Sequence, residues 1–146
     1  MKPEKRGCER NMVLMIDANV VLDVLCKREP NYKYSSKIWK LCETGICTGI
    51  VSTLSFANII YIMRKELTPD KIESVLKQLQ LIFTFSELSH NVLEDAAKLR
   101  WSDFEDAVQA TSAKRVNADY IITWNVKDFA KSDIPVLTPA ELLFRF

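Results

Sequence analysis

The sequence predicts an α/β domain, a parallel sheet whose strands are joined by helices. Three observations carry this. Residues 12–16 form an unbroken apolar run that stops at Asp17, the pattern of a central strand buried on both faces. Short stretches rich in apolar and β-branched residues recur at 46–52, 82–85, 120–123 and 135–137, with helical spacing between them; strands alternating with helices imply parallel pairing through right-handed crossovers. Helix punctuation also falls where this alternation needs it. Thr138-Pro139-Ala140-Glu141 spells a cap, a proline and a capping-box glutamate in order.

Taken along the chain, Val20, Val21, Leu22, Val24 and Leu25 support a short helix after Asp17, interrupted near Arg28-Glu29-Pro30. A second helix covers 32–43, with Ile38, Trp39, Leu41 and Cys42 inward and Lys33, Lys37 and Lys40 outward, and Gly45 supplies its stop. The strand at 46–52 leads into an apolar helix from Leu54 to Ile62. Thr68 caps the next helix with Pro69 at its first position. After the strand at 82–85, residues 88–99 are helical by spacing, and Trp101 to Asp106 opens another helix that buries Phe104, Ala107, Val108, Ala110 and Thr111.

The 146 residues make one domain, large enough to bury roughly two-thirds of its unfolded surface. Residues 1–11 are charged and lack an apolar stretch; they read as a disordered N-terminal extension to a single domain over 12–146, and not as a signal peptide. No run approaches the ~20 apolar residues of a membrane span. Formal net charge is +1, so there is no global basic footprint for nucleic acid, although a neutral total is compatible with a polarised surface. The four cysteines have no zinc-ligand spacing and there is one histidine, which argues against a His/Cys metal site and for reduced thiols in a cytoplasm.

Chemistry is expected where strands end, because ligands of open α/β sheets bind at the carboxyl edge. Asp17 follows the first strand, with Asn19 two residues on. Asn58 lies inside the apolar helix after the second. Asp103 and Asp106 open the helix before the fourth strand, and Asn125 and Asp128 follow that strand. Clustered carboxylates without histidine or thiol partners are hard oxygen ligands that select Mg²⁺ or Mn²⁺, and such ions suit phosphodiester hydrolysis. Each residue also has a local reading. Asp17 can cap the next helix; Asp103 with Asp106 has capping-box spacing, and Ser102 with Glu105 offers a competing box. Asp128 suits a turn, Asn58 can satisfy a buried backbone group, and Asp23 reads as solvated.

Order and spacing together distinguish these readings. Asp-x-Asn after the first strand, Thr-Leu-x-x-Asn after the second, Asp-Phe-Glu-Asp-Ala-x-Gln-Ala before the fourth and Thr-x-Asn-x-x-Asp-Phe after it resemble the PIN-domain family over nearly the whole chain, from Met12 to Leu143. The resemblance implies a three-layer α/β/α fold with a five-stranded parallel sheet of order 3-2-1-4-5. It also implies a metal-dependent ribonuclease, in many bacterial members the toxin paired with a small antitoxin protein, and commonly a homodimer. Carried over by position, Asp17, Asp106 and Asp128 are the catalytic, metal-holding acids, with Asp103 and Asn125 as further metal ligands. The departure is Asn58, where most nuclease members have glutamate; an amide keeps an oxygen donor and drops one charge.

Substrate contact is expected from Asn19, Thr123 and Trp124. Tyr32, Tyr34 and Trp124 have rings on which single-stranded bases stack, and packing is the equal reading for Trp124. Lys27, Arg28, Lys33, Lys37 and Lys40 offer one basic rim and Arg64 with Lys65 another, against the plain reading of a solvated face. Two other functions compete. One is a catalytically weakened relative that binds RNA or a partner protein, motivated by Asn58 and the neutral charge. The other is an aspartyl-phosphate phosphatase of the haloacid dehalogenase type, with Ser52 or Thr53 after the second strand; that chemistry wants an aspartate where Asn19 stands.

Overall fold

A computed structural model describes residues 11–146. The extension expected over 1–11 therefore lies outside the described residues, apart from Asn11. Five strands, β1 (Met12–Ile16), β2 (Cys47–Ser52), β3 (Phe83–Ser86), β4 (Tyr120–Ile122) and β5 (Val136–Leu137), form one sheet of order β3-β2-β1-β4-β5. Every neighbouring pair is parallel. This is the fold and strand order expected.

Among the described residues seven α-helices connect and flank the strands: α1 (Ala18–Leu25), α2 (Tyr32–Glu43), α3 (Thr53–Met63), α4 (Pro69–Ile82), α5 (His90–Lys98), α6 (Phe104–Arg115) and α7 (Pro139–Leu143). The central strand shows why its run is continuous. Leu14 and Ile16 face one apolar cluster with Val21 and Leu22 of α1 and Ile38 of α2. Met15 faces a second cluster with Ala110 and Ala113 of α6 and Ile121 of β4. Successive side chains of a strand point to opposite faces, so a strand roofed on both sides needs apolar residues at every position. All three residues are buried.

The helix signals hold at the atomic level. Thr68 accepts from the Lys71 amide, and Thr138 and Glu141 complete the expected capping box. Gly45 ends α2 with φ +81°, a left-handed conformation that costs glycine nothing. Gly49 of β2 meets a different demand: a Cβ there stands 2.7 Å from Cys42 Sγ and from the Phe83 ring, so the close approach of α2, β2 and β3 depends on its absence. Several strand boundaries move by one residue from expectation: β2 starts at Cys47, β4 ends at Ile122, β5 starts at Val136, and Ile82 ends α4 and does not start β3. A 3-10 turn over Val126–Phe129 follows β4. No helix among the described residues is long and apolar enough to cross a membrane.

Candidate active site

β1 and β4 are neighbours, and each stops at the same edge of the sheet. Asp17 and Thr123 are the next residues along. Asp17 N donates to the Ile122 carbonyl at 3.0 Å, which docks the end of one strand onto the other. The Thr123 hydroxyl then donates to Asp17 Oδ2 at 2.7 Å and accepts from the Asn125 amide at 3.0 Å. Asp17 occupies the N-cap position of α1, but its carboxylate makes no capping hydrogen bond. Its side chain is committed to the cleft.

That cleft has a volume of about 380 Å³ and is lined by Asp17, Asn19, Asn58, Asp103, Asp106, Asn125 and Asp128, together with Glu105, Gln109 and Tyr61. Residues 17, 58, 106 and 128 thus meet at one surface from four distant parts of the chain. Asp103 does two jobs there, since as N-cap of α6 it also accepts from the Asp106 amide at 3.1 Å. The competing box from Ser102 and Glu105 does not form, and Glu105 is free to face the cleft.

The electrostatics follow from this crowding. Burial, then the charges of Asp103, Asp128, Asp17 and Glu105, push the Asp106 carboxyl up to about 7. Burial also raises Asp17 above the ordinary carboxylate range, against the Thr123 hydroxyl, the nearby amides of Ala18 and Asn19, and Gln109, which all favour its charged form. Among the described residues no three acidic, histidine or cysteine side chains are drawn close enough to hold an ion as they stand. The donors nevertheless fit a hard divalent cation: they are carboxylate and amide oxygens, and both the burial and the neighbouring acids that hold Asp106 near 7 disfavour a bare negative charge, which a cation would offset.

Two of the expected substrate contacts sit back from the cleft surface. Thr123 is fully buried, and its hydroxyl is engaged with Asp17, whose orientation it fixes. Trp124 is half-buried, packs edge-on to Tyr34 with ring centres 6.0 Å apart, and donates its indole N–H to Asp23 Oδ2 at 2.8 Å. Its ring belongs to the core beside the cleft. Asp23 is likewise not solvated: only 1% exposed, it also accepts from Ser35 Oγ at 2.8 Å and pairs with Arg28 at 3.0 Å. That pairing removes Arg28 from the expected basic rim.

Two residues went unassigned in the sequence. Glu105 accepts from Asn58 Nδ2 at 3.1 Å. Gln109, one turn beyond Asp106, is buried and accepts from Ser55 Oγ at 3.1 Å; its Nε2, without a hydrogen-bond partner among the described residues, lies on the cleft wall near Asp17. The signal for both was present in Asp-Phe-Glu-Asp-Ala-x-Gln-Ala, where positions 105 and 109 are one turn apart on a helix face.

A family model for the PIN domain matches residues 13–127. The chain belongs to the PIN domain family. Ribonuclease VapC1 of Aquifex aeolicus (strain VF5) is 26% identical over 138 residues, spanning 91% of this chain and 94% of that relative. Among solved structures, a toxin-antitoxin complex from Klebsiella pneumoniae superposes with a TM-score of 0.66 at 22% identity, over 86% of this chain and 97% of that one. VapBC-1 from nontypeable Haemophilus influenzae superposes with a TM-score of 0.67 at 17% identity, over 88% and 99% respectively. This PIN domain therefore shares its fold with them over most of its length.

Proposed function

We propose that this PIN domain is a metal-dependent endoribonuclease and acts as the toxin of a toxin-antitoxin pair. The observation that carries the chemistry is the meeting of Asp17, Asp106 and Asp128 in one cleft at the carboxyl edge of the sheet. The similarity to a ribonuclease along nearly its full length supports the reaction class. The antitoxin partner rests on relatives solved as toxin-antitoxin complexes, and a homodimer rests on the family resemblance alone.

Asp17, Asp106 and Asp128 would hold a Mg²⁺ or Mn²⁺ ion, with Asp103 and Asn125 beside them. When bound, such an ion supplies an activated water and stabilises charge on the phosphodiester oxygens. The chain's own residues do the rest. Thr123 Oγ1 fixes the orientation of Asp17, and Ser55 fixes Gln109 by its carbonyl so that the amide donor stays on the cleft wall. Burial and the acids around it raise the Asp106 carboxyl to about 7, so its charged form, the one that would act as a ligand, gains as pH rises through that value. Asp128 and Asn125, both exposed, form the open lip through which a strand enters.

The weakened, binding-only alternative rested on Asn58 and on the near-neutral net charge. Glu105 stands hydrogen-bonded to that amide and puts a carboxylate on the same wall, which favours the active reading. The test is cleavage of single-stranded RNA by purified protein with Mn²⁺ or Mg²⁺. Cleavage that stops with EDTA and is lost in Asp17→Asn is expected. Turnover indifferent to chelation overturns the metal mechanism, and saturable RNA binding with no turnover under any divalent ion overturns the nuclease.

A further inference from the structure

The acidic cleft is not isolated. Asp103, Asp106 and Asp128 also line an adjoining cavity of about 400 Å³, whose other walls include Trp101, Lys127 and Lys131. Trp101 and Lys131 in turn line a third cavity of about 410 Å³, set between α5, α6 and the loop after the 3-10 turn. Neighbouring cavities share these walls, and along the groove they outline the charge changes sign. Acids dominate the first part; in the last, Lys98, Lys114, Arg115 and Lys131 face only Asp95 and Asp133.

Those two acids are already engaged. Arg115 pairs with Asp95 at 2.6 Å and Lys114 with Asp133 at 3.0 Å. Lys98, Lys127 and Lys131 are exposed and enter no ion pair among the described residues, and Lys98 and Lys131 face the far cavity together. Lys98 comes from the end of α5, and Lys127 and Lys131 from the 3-10 turn and the loop directly after it, so their gathering in a concave wall is a product of the fold and not of one charged helix face.

Resting on the ribonuclease reading above, we propose that this groove is the track for the RNA strand on one side of the cleaved bond, with its phosphates held by Lys127, Lys131 and Lys98. The acidic centre by itself repels a polyanion, so affinity has to come from neighbouring cations, and a phosphate backbone is what a row of unpaired lysines beside such a centre fits. Trp101, lining both outer cavities, offers a ring for a base to stack on. None of these residues belongs to the rims that the sequence suggested.

The test is fluorescence anisotropy of a labelled single-stranded RNA in EDTA, where no cleavage interferes, with the full chain and Lys98→Ala/Lys131→Ala. Loss of two phosphate contacts is expected to lower the slope of log affinity against log salt by about 1.4 and to weaken binding about 10- to 30-fold at 0.1 M salt. Lys77→Ala on α4, distant in sequence and paired only with Glu73, is expected to match the wild type. If the double variant keeps wild-type affinity and slope while the wild type cleaves RNA with Mn²⁺, the track is overturned and the ribonuclease reading stands. A wild type that neither binds nor cleaves RNA overturns both. If labelled poly-L-glutamate binds the wild type as tightly as RNA and loses binding equally in the variant, the surface serves an acidic polypeptide and the RNA assignment falls.

Discussion

The side-chain amide of Asn58 donates to the carboxylate of Glu105 across 3.1 Å, joining α3 to the first turn of α6 at the wall of the acidic cleft. Glu105 therefore puts a carboxylate beside Asn58, the position where the family resemblance implies a glutamate. Glu105→Gln keeps an oxygen for Asn58 to donate to and removes only the charge. We expect Mn²⁺ affinity, measured by calorimetry, to fall about tenfold. We also expect the Asp106 carboxyl to titrate lower, because Glu105 is one of the charges holding it up. Unchanged Mn²⁺ affinity in Glu105→Gln removes Glu105 from the site.

Asp106 makes stability depend on pH in a direction opposite to that of a salt-bridged acid. Its carboxyl sits at about 7 in the folded chain against an ordinary value of 3.8. Between those values the folded state binds more protons than the unfolded one, so stability falls as pH rises through the window. Asp17, also raised, adds in the same sense. In metal-free protein the drop in Tm from pH 5 to pH 8 should shrink in Asp106→Asn by about 2–4 °C, a modest amount because water reaches the group and screens it. Mn²⁺ should restore the loss in the wild type and not in the variant. An identical pH profile for the two proteins shows that the crowding at Asp106 carries no energetic weight.

How much of this was legible beforehand depended on how local each signal was. The run at 12–16 and the caps at Thr68 and Thr138 are short-range statements about burial and orphan amides, and the fold follows them closely. The acids at 17, 106 and 128 were legible through their order along the chain. Asp23 was misread because a charged residue one turn further along the first helix looks solvated; Ser35 and Trp124, which complete its surroundings, come from distant sequence. Glu105 was hidden by the choice between two capping boxes, which only the observed Asp103 cap decides. Thr123 was placed at the mouth correctly in sequence and wrongly in depth, since one residue past a strand end is still under the roof of its neighbours. The basic groove could not be read at all, because its cations are scattered over separate elements.

Gly49 gives a stability prediction independent of the site. A methyl group added there meets Cys42 Sγ and the Phe83 ring at 2.7 Å. The sulfur can turn away, but the Phe83 ring is fixed by its edge-on contact with Trp39, whose centre is 5.2 Å away. Gly49→Ala is expected to cost about 1–3 kcal/mol in urea unfolding, the usual range for overpacking a filled core. A variant as stable as the wild type means that α2 slides off the sheet at no cost.

The knot around Asp23 ties the active-site loop to the α1–α2 layer. Its carboxylate takes the Trp124 indole N–H, the Ser35 hydroxyl and the Arg28 guanidinium, with its side chain 2% exposed while Arg28 remains 43% exposed. Trp124 stands between Thr123, which orients Asp17, and Asn125 at the lip of the cleft. Asp23→Ala leaves three donors without their acceptor and is expected to cost about 3 kcal/mol, the low end for breaking a buried pair because the guanidinium stays hydrated. Trp124→Phe, which removes the N–H donor and leaves a smaller aromatic ring, should cost at least about 1.5–3 kcal/mol, the usual worth of a hydrogen bond to a charged group, with lost packing in addition. The double variant should cost clearly less than the sum, since the bond can be lost only once. Additive costs in urea unfolding would mean that the indole and the carboxylate are not coupled. The loop would then owe its position to packing against Tyr34 alone.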